Sequence, residues 1–267
     1  MPVRLKLIVA YDGGFFAGWQ SQAHGDTIQD HLELALSQIA RSAVRVHGAG
    51  RTDAGVHALA QCAHVDLAEK RLSPGQWIAA LNALLPPQIR VLKCRYVTDR
   101  FHARYSAKGK IYRYRIWLGA VLPPLEVGRA WHIAASLDDE ILRSSANVFL
   151  GTHDFSGFAA NRGKPATDTV RTIRSVRVRR SGALLAIEFD GSGFLYKMVR
   201  LMVGSLVQCG LGKMDAKTIS QWLSFPRVPR SRVSAPPEGL YLMRVRYASF
   251  FRSSRERQLV APLGQGV

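Results

Sequence analysis

Ten consecutive residues, Gly48-Ala49-Gly50-Arg51-Thr52-Asp53-Ala54-Gly55-Val56-His57, set a carboxylate between a guanidinium and an imidazole. Three glycines in the first eight of them predict a tight loop whose backbone can approach a ligand. Two phosphate-cradling readings fail on spacing. Gly50 and Gly55 stand as in a P-loop, but Val56-His57 follow where Lys and Ser/Thr are needed. A dinucleotide fingerprint needs a third glycine where Asp53 stands. What remains is a carboxylate, Asp53, between Arg51 and His57 on a glycine-rich loop. The plainer alternative is an aspartate that caps a turn beside glycine.

A second segment bears on that choice. Residues 194–207 are apolar nearly all round, which predicts a buried helix with Arg200 in its middle. A buried arginine needs an anionic partner. The pattern equally allows Arg200 to reach the surface, where it could bind phosphate. Tyr112 and Tyr114 lie in an alternating strand, where packing is the ordinary role of such residues. His57, Cys62 and His64 have no metal-ligand spacing, so no metal is expected. A glycosidase would need a second strong acid, which the motifs lack.

The elements that must position these groups are mixed. Strands are predicted over 4–11, 44–47, 60–67 and 89–97. Helices carry Ile28, Leu32, Leu36 and Ile39, capped by Asp26 or Thr27, and Trp77, Leu81, Leu84 and Leu85, stopped by Pro86-Pro87. In the second half a strand spans 110–118 and a helix 137–150. A hairpin follows over 169–179 and 183–189, then helices over 194–209 and 216–223, and a last strand over 240–247. The expected fold is α+β: two similar α/β halves, 1–98 and 99–249, and a loose tail at 250–267. Each half would be a mainly antiparallel sheet with helices on one face, the two sheets meeting around a central basic cleft.

Charge suggests the partner. Lys plus Arg number 37 against 19 acids, a net charge of +18. Such an excess is self-repelling unless a polyanion binds, and nucleic acid is the commonest. Arg171, Arg174, Arg177, Arg179 and Arg180 cluster, and period two puts Arg171, Arg177 and Arg179 on one strand face. The three cysteines form no C-x-x-C pair, which suits a reducing compartment. No signal peptide or membrane-length apolar run is read, so a cytoplasmic protein is expected. A non-catalytic RNA-binding α/β protein fits the charge. It leaves the Asp loop and the lone Arg of the apolar helix unexplained.

The stretch Gly50 to His57 resembles the signature of TruA-type tRNA pseudouridine synthases. Further blocks resemble that family in order: Tyr11-Asp12-Gly13, Gly18-Trp19-Gln20, Phe101 to Ala107, Tyr112-Arg113-Tyr114, His153-Asp154-Phe155, Met198-Val199-Arg200 and Glu238 to Leu242. The resemblance implies isomerisation of uridine to pseudouridine at positions 38 to 40 of the anticodon stem-loop, by a homodimer without cofactor. It implies Asp53 as nucleophile, attacking the base or the sugar C1′, and Arg200 as its ion-pair partner. It implies Tyr112 stacking on a flipped base, Leu240 lining the pocket, and Arg51 helping to splay the target nucleotide. Tyr112 could also move the C5 proton, because its hydroxyl is the group the motifs place nearest that need. Tyr105, where many members have Phe, and Tyr196-Lys197, where some have His-His, bear on substrate preference rather than on the reaction.

Overall fold

The computed structural model describes residues 2–23, 25–160, 168–224 and 233–248. The tail at 250–267 lies outside them. Strand β1 (Val3–Tyr11) buries Leu5, Leu7, Val9 and Tyr11 on one face, as period two requires. Helix α1 (Ile28–Ala40) is capped by Thr27, not Asp26: the Thr27 hydroxyl accepts from Asp30 N–H, and the Asp30 carboxylate accepts from Thr27 N–H. Strands β2 (Val46–Gly48) and β3 (His57–Leu67) follow. Helix α2 (Pro74–Leu84) starts with the same reciprocal cap between Ser73 and Gln76. Strand β4 (Ile89–Val97) closes this half.

The second half contains β5 (Ala107–Trp117), β6 (Trp131–His132), α3 (Asp139–Ala146), β7 (Gly151–Asp154), β8 (Val170–Ser181), β9 (Leu184–Gly191), α4 (Met198–Gly210), α5 (Ala216–Ser224) and β10 (Leu240–Tyr247). Two helices are shorter than the apolar periodicity predicts. The Asp138 carboxylate accepts from Glu140 and Ile141 N–H and so fixes the start of α3. Lys197 takes φ 58°, in the left-handed region, so α4 begins at Met198 rather than Phe194.

The strands form one sheet in the order β4-β1-β3-β10-β5-β9-β8-β7, with β2 on β3 and β6 on β5. The pairing is mainly antiparallel, and the mixed α/β class agrees with the sequence. The two separate sheets of the sequence reading are instead continuous. The join is β10, which pairs in parallel with β3 at Tyr241↔His57 and Leu242↔Ala58, and antiparallel with β5 along its length. The buried apolar residues likewise form a single core, from Leu5 to Val245.

The arginine stripe is also redrawn. Ile173 pairs with Gly191 but Ser175 pairs with Asp190, so one extra residue bulges between them. The bulge reverses the facing of everything beyond it. Arg171 shares the face of Ile173, whereas Arg177 and Arg179 point to the other side, where Arg177 meets Glu188 at 3.8 Å. Among the described residues no helix is long and apolar enough to cross a membrane.

Candidate active site

The Asp loop joins two neighbouring antiparallel strands, β2 ending at Gly48 and β3 beginning at His57. Its conformation is clamped from several sides. Ala49 N–H donates to Cys62 O (2.7 Å), and the Gln61 amide donates to Gly50 O (2.8 Å). The Thr52 hydroxyl bonds the Tyr11 hydroxyl (2.8 Å), and Trp19 N–H donates to Thr52 O (3.0 Å). Gly55 N–H donates to Gly13 O (3.1 Å), with Gly55 itself at φ +80°. Behind the loop, His57 Nδ1 accepts from Gly13 N–H, and its Nε2–H faces the carbonyls of Gly128 and Glu238. Burial lowers the His57 pKa against the pull of the Asp12 carboxylate, 3.0 Å from Nδ1. His57 is thus a fastener behind the loop rather than a group in the cleft.

The backbones leave no room for change at Gly13. A Cβ there would lie 2.0 Å from Val56 O. Gly13→Ala should therefore cost about 1–3 kcal/mol or more through overpacking against rigid backbone. A thermal melt superimposable on the parent's would show that the loop yields there and is not clamped.

Arg200 comes from the first turn of α4. Its Nη1–H donates to Asp53 Oδ2 (3.3 Å) across 147 positions of sequence. Its Nε–H donates to Ala235 O (2.7 Å), and Ala235 N–H returns a bond to Arg200 O (3.0 Å). The strap at 233–236 that carries Ala235 is itself held: the Tyr114 hydroxyl donates to Pro236 O (2.7 Å), and Val233 O crosses α4 at Gly204, where a Cβ would lie 2.0 Å away. The Asp53 and Arg200 side chains keep 19% and 12% of their surface exposed. Of the two readings of Arg200, the buried one with an anionic partner is the one seen.

Asp53, Arg200, Tyr112, Leu240 and Arg51 all line one groove of about 710 Å³. Leu240 and Tyr112 are almost fully buried in its floor, and Arg51 is exposed at its rim. The Tyr112 ring meets Phe194 edge-on, centroids 5.1 Å apart at 81°. Burial, and then the neighbouring Tyr11 and Asp53, raise the Tyr112 pKa well above the usual phenol value. The phenol therefore stays protonated in the neutral range. The arrangement offers a carboxylate held beside a guanidinium over an aromatic floor, which suits covalent capture of a planar ring.

The sequence reading assigned no role to several residues that build this groove. Trp19 packs on Gly48, where a Cβ would fall 2.5 Å from its ring, and Phe194 forms a side wall. Lys110 lines the groove two residues before Tyr112. The blocks Tyr11-Asp12-Gly13 and Gly18-Trp19 were the available signal for the loop clamp. His47, His64 and His102 gather with ring centroids 4.6–5.8 Å apart. Among the described residues no group of three His, Cys, Asp or Glu side chains is arranged to hold a metal.

Comparison with known proteins agrees along most of the chain. The family model described as tRNA pseudouridine synthase matches residues 7–106 and 146–248. A tRNA pseudouridine synthase A of Akkermansia muciniphila is 44% identical over 251 residues, covering 91% of this chain and 95% of its own. The protein of that name from Methylacidiphilum infernorum is 40% identical, covering 92% and 96%. That from Nitrobacter winogradskyi is 43% identical, covering 92% and 96%. With a match of this extent, the chain belongs to the tRNA pseudouridine synthase family, isomerases that act on tRNA.

Proposed function

We propose that this enzyme converts uridine to pseudouridine at positions 38 to 40 of the tRNA anticodon stem-loop, with Asp53 as nucleophile and the target base flipped into the groove. The observation that carries this reading is the contact between Asp53 and Arg200 in the groove whose floor is Tyr112. The reaction breaks the N1–C1′ bond, turns the uracil and rejoins it through C5. It needs a carboxylate that is ionised yet lightly solvated. The Arg200 guanidinium supplies the compensating charge as water is excluded.

Flipping a stacked uridine costs a few kcal/mol. Stacking on Tyr112, braced by Phe194, returns about 1–3 kcal/mol. Leu240 closes the floor beside that ring, and Arg51 at the rim helps to splay the target nucleotide. In this reading the half spanning 1–98 brings the nucleophile, and the half spanning 99–249 brings the floor and the guanidinium. A homodimer acting in the cytoplasm would extend the basic surface along an L-shaped RNA, and light scattering tests that assembly.

The direct test is tritium release from C5-labelled uridine in tRNA, combined with pseudouridine mapping in cells lacking the protein. Loss of the modification at positions other than 38 to 40 would move the assignment. RNA binding without any release would leave a binding protein.

The Tyr112 hydroxyl is tested separately. Because the phenol is protonated, a proton taken from C5 must enter at its oxygen while the phenolic proton passes to the uracil N1, which was freed from C1′ and carries a hydrogen in the product. Tyr112→Phe keeps the ring, so KM should hold while kcat falls by about 10²–10⁴ if the hydroxyl handles that proton. Full turnover in the variant at saturating RNA would confine Tyr112 to stacking.

A further inference from the structure

Lys110 sits in a setting that no described carboxylate balances. It lies on β5 on the same face as Tyr112, about 7 Å along the strand. Its Nζ rests against the Asp loop: a Cβ at Gly50 would be 2.4 Å from it, so the glycine makes room for the ammonium. Burial, then the charges of Arg104 and Arg171, lower its pKa to about 8. No ion pair joins Lys110 to a carboxylate of any described residue. Arg171 does have an acid, Asp168 at 3.2 Å, but that side chain is 78% exposed and neutralises little.

The neighbours are held in place. Arg104 rides on a turn fixed by two histidines. His64 Nδ1 accepts from Ala103 N–H (3.1 Å), and His102 Nδ1 accepts from Arg104 and Tyr105 N–H. Burial first, then His102, Arg4 and His47, lowers the His64 pKa to about 4, so this anchor is neutral and stays an acceptor. Arg171 is brought to this side of the sheet by the bulge after Ile173, and its side chain lies beside Gly193. The other ionisable groups that line the groove are Arg45, His47, Arg51, Asp53, His102, Tyr105, Tyr112, Tyr196, Lys197 and Arg200.

A largely buried ammonium that also feels the charges of Arg104 and Arg171 costs stability unless an anion completes it. Lys110 is one ribose away from the aromatic floor. We propose that Lys110, with Arg104 and Arg171, forms a subsite for the backbone phosphodiester of the flipped nucleotide. The inference rests on the reading above that a tRNA uridine enters this groove. A phosphodiester brings one negative charge and acceptor oxygens, which a lysine meets as a point charge. Binding it restores the proton that Lys110 tends to lose, so the contact is strong below pH 8 and fades above it.

The test uses the full chain carrying Asp53→Asn as a non-reacting binder, with an anticodon stem-loop RNA. The slope of log affinity against log salt is measured at neutral pH and well above the Lys110 pKa of about 8. One phosphate contact adds roughly 0.7–0.9 to that slope. The slope should fall by about that amount on going to alkaline pH. Lys110→Gln should show the reduced slope at both pH values, and Lys110→Arg the full slope at both. A single neutral methylphosphonate linkage beside the target uridine should weaken binding to the Lys110 protein clearly more than binding to Lys110→Gln, which keeps only Arg104 and Arg171. Equal slopes for all three proteins at both pH values overturn the subsite. If the parent enzyme also releases no tritium from tRNA, the underlying reading fails instead, so the two failures are distinguishable.

Discussion

Asp53→Asn should abolish pseudouridine formation, by a factor on the order of 10⁴–10⁶, while RNA still binds. The amide has nearly the shape of the carboxylate, so the loop keeps its backbone bonds: Val56 N–H to Asp53 O at 3.1 Å and Gly55 N–H to Gly13 O at 3.1 Å. What is lost is the anionic nucleophile, and the Arg200 contact becomes a charge-to-neutral hydrogen bond of about 1.5–3 kcal/mol. The variant should compete with the parent enzyme for tRNA in a binding assay and release no tritium from C5-labelled uridine. Release near the parental rate would remove Asp53 from the chemistry altogether.

Arg200→Ala should combine a kinetic and a structural loss. The guanidinium serves two acceptors, Asp53 Oδ2 at 3.3 Å and Ala235 O at 2.7 Å. Without it a largely buried carboxylate faces the cleft beside an empty volume, and the strap at 233–236 loses a tie. Breaking such a pair costs about 3 kcal/mol, the low end of the range for buried pairs, because Asp53 keeps a fifth of its surface in water. The loss in kcat should be on the order of 10²–10³, that of a preorganised electrostatic group. Arg200→Lys should recover part of the rate but little of the stability, since a point charge cannot serve both acceptors. The combined Asp53→Asn, Arg200→Ala protein should turn over no more slowly than Asp53→Asn alone. Losses that simply multiply would mean that the two residues act separately.

Local pattern made much of this legible in the sequence. Alternation gave β1 and β4 almost to the residue, and the polar residues before Ile28 marked the start of α1. The Asp loop stood out because glycine spacing excluded the familiar phosphate readings. What local pattern misses is set by geometry between distant segments. Nothing near residue 174 announces the bulge that puts Arg171 and Arg177 on opposite faces of the sheet. The left-handed turn at Lys197 is a non-glycine residue in a conformation that the surrounding apolar run hides. Lys110 read as one basic residue among many, because its setting comes from Gly50, Arg104 and Arg171 rather than from its neighbours in sequence. Arg200 was the harder case. Its burial depends on Ala235, thirty-five positions away, and helix periodicity carries no information about that strap.

The place of β10 has a consequence for biogenesis. Residues 240–247 are made after every other described strand, yet they seat between β3 and β5. Until they leave the ribosome, the nascent chain presents the long edge of β5 and a short stretch of β3 unsatisfied, and lacks Leu240 in the groove floor. Such late closure raises contact order and slows folding. A chain stalled short of this strand would be inactive and prone to stick to its neighbours, so the enzyme gains its activity only as the final strand slots home.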